Sequence, residues 1–138
     1  MPEKKPIIRF ENVTKTYLEN TPVLNQVNLV IYPGEFLSLV GASGVGKSTL
    51  LKLIYAEEVP TEGEIYFNER PLSAINRKHL PFYRRNIGTV FQDFKLLPNK
   101  TAFENVAYAL EVDGRSQEEI DAEVPEILEI VGLGGKMH

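Results

Sequence analysis

Residues 7–14, Ile-Ile-Arg-Phe-Glu-Asn-Val-Thr, place Ile8 and Phe10 on one face at period two, which predicts a strand with one buried side. Residues 23–31 repeat the pattern through Val27, Leu29 and Ile31, with polar Gln26 and Asn28 between them. Tyr32-Pro33-Gly34-Glu35 reads as a turn by its Pro-Gly pair. Residues 36–40, Phe-Leu-Ser-Leu-Val, form an unbroken apolar run, which predicts a strand covered on both faces, as in a parallel sheet. A glycine-rich loop follows at residues 41–46, then a helix with Leu50, Leu51, Leu53 and Ile54 as its apolar residues. Residues 63–68 predict a strand, 77–85 a basic helical segment and 87–91 a further buried strand. Arg84 and Arg85 are expected on a solvated basic face, with contact to anionic lipid or an acidic partner as the alternative.

The last third has a different period. Thr101 and Glu104 are spaced as a capping box, and Phe103, Val106, Ala107 and Leu110 then share one helical face. Gly114 ends that helix. Ser116 and Glu119 form a second box, followed by an apolar stripe at Ile120, Val124, Ile127 and Val131 and a closing glycine, Gly132. Pro125 inside this helix predicts a kink or break, because it removes a backbone bond and crowds the Asp121 carbonyl. The order of elements is an α/β or α+β pattern with a helical appendix.

Composition narrows the function classes. The chain has 138 residues and a net charge of −4. Apolar residues make up 43% and charged residues 25%, values that exclude a largely disordered chain. No apolar run is long enough to span a membrane, and the lysines at positions 4 and 5 are not followed by the apolar stretch of a secretory signal. With no cysteine there is no disulfide, thiolate zinc site or thiol nucleophile, which fits a reducing compartment. Mild acidity argues against nucleic acid as a partner. Acidic residues gather in residues 101–138, which reads as a solvated helical face or a separate subdomain with its own partner. His79 and His138 have no visible triad or metal companion and are expected at the surface.

Gly41-Ala-Ser-Gly-Val-Gly46-Lys47-Ser48 matches the phosphate-binding pattern G-x-x-x-x-G-K-[ST] in full. Residue frequencies give roughly a 0.4% expectation of such a match by chance. A polyphosphate is dense negative charge, so the loop must turn several backbone N–H groups inward. Gly41, Ser43, Gly44, Val45 and Gly46 are candidates for that cradle, the glycines because they leave no Cβ between backbone and phosphate. The following helix, with Thr49 in its first turn, aims its positive end at the same place. Lys47 supplies a mobile cation for the β- and γ-phosphates, and the Ser48 hydroxyl suits Mg²⁺.

Two further stretches accompany the loop: Val13-Thr-Lys-Thr-Tyr17 after the first strand, and Val90-Phe-Gln92-Asp93 some forty residues beyond the loop. Together the three resemble the ATP-binding subunits of ABC transporters, over nearly the whole chain. Residues 80–98, then Glu104-Asn-Val-Ala, are most similar to the cell-division branch of that family. Asp93 directly after Gln92 favours it over the lipoprotein-release and macrolide-export branches. The resemblance implies a P-loop NTPase core of α/β class, here incomplete, with an N-terminal antiparallel β subdomain. It implies a nucleotide-binding portion over residues 1–92 and the start of a helical subdomain over 93–138. It also implies ATP and Mg²⁺ as cofactors. Tyr17 would stack on adenine with Val23 beside it, and Lys47 and Gln92 would serve catalysis. Ser48 and Gln92 would touch the metal, with Gln92 reporting nucleotide state to an integral membrane subunit. The family acts as homodimers on the cytoplasmic face of the membrane.

Three family elements are not found in residues 93–138: the Leu-Ser-Gly-Gly-Gln signature, an apolar strand ending in Asp-Glu, and a switch histidine. The nearest imitation of the strand, residues 106–111, has helical period. The family's general base belongs to that strand, so hydrolysis by this chain alone is not expected. Strands that come later in the family's chain flank the run at 36–40. An unpaired edge with a bare apolar face is therefore expected there, and with it a marginal, swapped or associated chain. Beside an ATPase of the cell-division type stand three alternatives: one of the two related branches, a nucleotide-binding module that does not hydrolyse, and a structural piece without ligand.

Overall fold

A computed structural model describes residues 5–18 and 21–138, so most of the N-terminal lysine-containing stretch lies outside the described residues. The chain divides into two compact units, residues 1–88 and 89–138.

In the first unit, alternation produces β1 (Ile8–Leu18) and β2 (Thr21–Ile31), with β3 (Glu62–Phe67) and the short β4 (Arg70–Pro71) completing an antiparallel sheet of order β2-β1-β3-β4. β1 is central, pairing Phe10 with Leu29 on one side and with Ile65 on the other. Its period is interrupted at Asn12, whose φ of 47° marks a bulge. The slip puts Phe10 and Val13, three residues apart, into the same core. Asn28 fastens the bulge: its Oδ1 accepts from the Asn12 amide at 2.9 Å, and its Nδ2 donates to Asn12 Oδ1 at 3.0 Å.

α1 (Lys47–Ile54) lays Leu50 and Leu53 on this sheet, closing a core with Phe10, Val13, Leu24 and Ile65. Leu51, expected among the apolar contacts, is half exposed instead. The end of α1 is closed by α2 (Leu80–Arg84), which follows a short 3-10 turn at Arg77–His79. The buried Tyr83 hydroxyl donates to the Ile54 carbonyl, and burial pushes its pKa up to about 12. Arg84 is exposed, as expected of a solvated basic face, and it also donates to the carbonyls of Tyr55 at 3.2 Å and Ala56 at 2.8 Å, capping a helix end. His79 is exposed.

Both apolar runs expected as buried strands depart from expectation. Residues 36–40 form no strand, and Phe36 and Val40 are 96% and 87% exposed. Residues 87–91 form none either, and Val90 is 99% exposed. A strand exists only where a neighbour accepts its backbone bonds. Among the described residues no strand of the sheet pairs with 36–40, so the bare face expected there is the observed state.

In the second unit, α3 (Ala102–Asp113) and α4 (Gln117–Ile130) each begin with a complete capping box, at Thr101/Glu104 and Ser116/Glu119. Each ends on a glycine with positive φ, Gly114 and Gly132. The α4 end is a Schellman turn: Leu133 N donates to the Leu128 carbonyl at 2.7 Å and Gly132 N to the Glu129 carbonyl at 3.0 Å. The core joins Ala107 to Ile120, Val124 and Leu128, flanked by Phe103, Val106 and Leu110. The α4 stripe thus runs through Leu128, while Ile127 and Val131 are exposed. α4 also passes Pro125 without breaking, because buried Val124 and Leu128 anchor the helix on both sides of it. Among the described residues no helix is long and apolar enough to cross a membrane.

Candidate nucleotide site

The loop at residues 41–46 is set by glycine geometry. Gly46 caps α1 with φ 98°, and its carbonyl accepts from Leu50 N at 2.9 Å. A Cβ there would stand 2.8 Å from Leu24 Cδ2 and 2.9 Å from the Val23 carbonyl. At Gly41, with φ 155°, a Cβ would meet Val45 Cγ2 at 2.9 Å. Val23 at the start of β2 is therefore the floor under the loop, and only glycine fits above it.

No side chain caps the start of α1, and its first turn holds no acidic residue, so its amide donors and positive dipole end face no competing carboxylate. Lys47 folds back over the loop: its Nζ donates to the carbonyls of Gly41 at 2.8 Å and Ala42 at 2.7 Å. Ser43, Gly44 and Val45 form the exposed turn of the loop, and Ser48 is exposed behind Lys47. The donor set, one cation with glycine-lined backbone and no anion, fits a polyphosphate, and the exposed Ser48 hydroxyl fits a hard cation beside it.

Tyr17 on β1 is 49% exposed, and its hydroxyl lies 3.5 Å from Oγ1 of Thr49, a buried residue in the first turn of α1. The structure thus brings Tyr17, Val23, Gly46 and Thr49 to one end of the first unit, with Lys47 and Ser48 on the same helix terminus. Gln92 belongs to the second unit and is exposed in a turn with Asp93. A hydrogen bond from Lys95 at 2.6 Å holds the Asp93 carboxyl below its usual range. Downstream, Asn105 secures the segment before α3, accepting from Leu97 N at 2.8 Å and donating to the Thr101 carbonyl at 2.8 Å.

The profile of the ABC transporter family matches residues 24–138. The chain belongs to that family. Among curated ABC relatives, it is similar to the cell division ATP-binding protein FtsE of Bacillus subtilis strain 168, at 50% identity over 94% of this chain and 57% of the relative. The FtsE of Mycobacterium tuberculosis is 45% identical, over 96% and 58%. The FtsE of Escherichia coli K12 is 43% identical, over 92% and 57%. The chain therefore spans somewhat over half the length of these relatives. Among solved ABC cassettes, a dimeric post-hydrolysis state of the ATP-binding cassette MJ0796 bound to ADP and Pi superposes with TM-score 0.81 at 39% identity, covering 94% of this chain and 59% of that one. The cbiO1 component of the ABC transporter complex cbiONQ from Clostridium perfringens gives 0.79 at 28% identity, over 97% and 53%. The architecture is a partial P-loop ABC ATPase, and the sequence is that of an FtsE-like ABC ATP-binding protein.

Lys15, which the sequence motifs do not single out, is 9% exposed on β1. The signal was present: a lysine at a buried register position beside Val13, two residues before Tyr17.

Proposed function

We propose that this chain binds Mg-ATP and forms the nucleotide-binding portion of an FtsE-like ABC ATPase that couples ATP binding and hydrolysis to an integral membrane subunit of the FtsX type in cell division. The observation that carries the reading is the loop itself: Gly46 seated on Val23, an unblocked α1 terminus, and the Lys47 ammonium held at its mouth. Lys47 would exchange its two carbonyl bonds for the β- and γ-phosphates. Backbone N–H groups of Ser43–Ser48 would hold the remaining charge, with Thr49 behind them. Ser48 would ligate Mg²⁺ with Gln92, and Gln92 would orient the attacking water. Tyr17 and Val23 would receive the base. The dimeric state of the solved cassettes supports a homodimer as the working assembly; it would work face to face, at the inner face of the membrane. ATP supplies the phosphoryl group whose transfer to water drives the cycle.

The test is a thermal melt with and without Mg-ATP, with Lys47→Ala as control. Ligand at a hundred times its dissociation constant adds about 2.7 kcal/mol to a folded state it binds exclusively. A shift in the parent and none in the variant is expected. No shift in the parent, or the same shift in both, overturns the reading. Phosphate release then separates turnover from binding alone.

A further inference from the structure

Burying an ammonium is costly unless it is paired and hydrogen-bonded, so a buried lysine calls for a reason. Lys15 has specific partners. Its Nζ forms an ion pair with Glu58 Oε2 at 2.8 Å and donates to the Val59 carbonyl at 2.9 Å, both in the connection between α1 and β3. The same Nζ stands over the ring of Tyr17, 5.0 Å from its centroid. Lys15 and Tyr17 are two apart on β1, in a stretch where the pairing with β2 shifts register, and the ring contact shows that their side chains meet. The Glu58 carboxyl is held below its usual range first by its hydrogen bond to Lys15, with a further contribution from the Tyr17 hydroxyl. The Tyr17 ring is thus engaged at two points: the Lys15 ammonium stands over the ring, and its hydroxyl lies 3.5 Å from Thr49 Oγ1. Half of Tyr17 is still exposed and open to a ligand.

We propose that Lys15, anchored by Glu58 and the Val59 carbonyl, is a positioning residue that fixes the Tyr17 ring against the start of α1 and so sets how tightly the base of the nucleotide is held. This rests on the reading that Tyr17 stacks on the base. A ring ordered beforehand loses less freedom when a ligand stacks on it, and affinity rises accordingly. The ammonium also polarises the ring face. The partners of Lys15 Nζ among the described residues are Glu58, the Val59 carbonyl and the Tyr17 ring, not Lys47 or the glycine loop, so its effect is expected on the base and not on the phosphates.

Two ligands separate these contributions. Mg-ATP uses base and phosphates; inorganic tripolyphosphate with Mg²⁺ uses the phosphates alone. Dissociation constants for both are measured on the full chain and on Lys15→Met, Glu58→Gln, Tyr17→Leu, Lys15→Met/Tyr17→Leu and Lys47→Ala. Lys15→Met is expected to weaken Mg-ATP about threefold to tenfold and to leave tripolyphosphate unchanged. Glu58→Gln, which keeps an acceptor, is expected to act in the same direction and less strongly, and it stands in if Lys15→Met fails to fold. In the Tyr17→Leu background, loss of Lys15 is expected to have no further effect on the ratio of the two constants. Equal weakening of both ligands, no change in either, or additive effects in the double variant overturns the inference. If the parent fails to bind tripolyphosphate, or Lys47→Ala binds it as the parent does, the underlying nucleotide reading is what fails, and this inference fails with it.

Discussion

Gly46 lies so close to Val23 that no methyl group fits between them: a Cβ would stand 2.9 Å from the Val23 carbonyl oxygen and 3.3 Å from its Cγ1. The loop that begins α1 is thereby tied to the start of β2. Gly46→Ala meets two penalties, a φ of 98° and this contact. Strain at such a φ costs on the order of 1–3 kcal/mol. Gly44→Ala shares the positive φ, 84°, but a Cβ there meets nothing within 4 Å. Gly46→Ala is therefore expected to melt lower and to bind Mg-ATP more weakly than Gly44→Ala. Equal melting temperatures and equal affinities for the two variants would show that Val23 does not set the loop.

The two capping glutamates make the second unit sensitive to acid. Glu104 is held below the usual range by a hydrogen bond from Lys100 and by the Thr101 amide, Glu119 by the Ser116 amide and hydroxyl and by Arg115. A depressed carboxyl stabilises the fold above its unfolded pKa, and that contribution disappears as pH falls through the folded value. Helix content and melting temperature are expected to hold near neutrality and to decline below about pH 5. The Glu104→Gln/Glu119→Gln double variant can still close both boxes with amide groups, which isolates the charge. Circular dichroism melts between pH 7 and pH 3 should show a shallower decline for that variant than for the parent.

What the sequence made legible was local. The phosphate loop, both capping boxes and the terminal glycines depend on bonds within a few residues, so the string of residue types contains them. The α4 stripe was half legible: after Ile120 and Val124, both Ile127 and Leu128 lie on an acceptable helical face, and the partner surface on α3 selects Leu128. The partners of Arg84 and Lys15 were not legible because they are distant in the chain. Arg84 reaches carbonyls 28 and 29 residues away, and Lys15 reaches one 44 residues away. The runs at 36–40 and 87–91 have strand composition, yet a ladder is a property of two segments and no composition supplies the second.

That missing second segment leads to the last prediction. Phe36, Leu37, Leu39 and Val40 are all exposed, and their backbone has no strand beside it among the described residues. An apolar segment with free backbone groups is a template for pairing with another chain. The isolated chain is expected to associate, with an apparent mass that rises with concentration in sedimentation velocity. Phe36→Ser/Val40→Ser removes the two most exposed apolar side chains of the run, and such side chains add little to the stability of the monomer. The double variant is expected to shift the mass toward 15.6 kDa while keeping the melting temperature of the first unit. A parent that stays at monomer mass over a wide concentration range would mean that residues 36–40 are not a pairing edge.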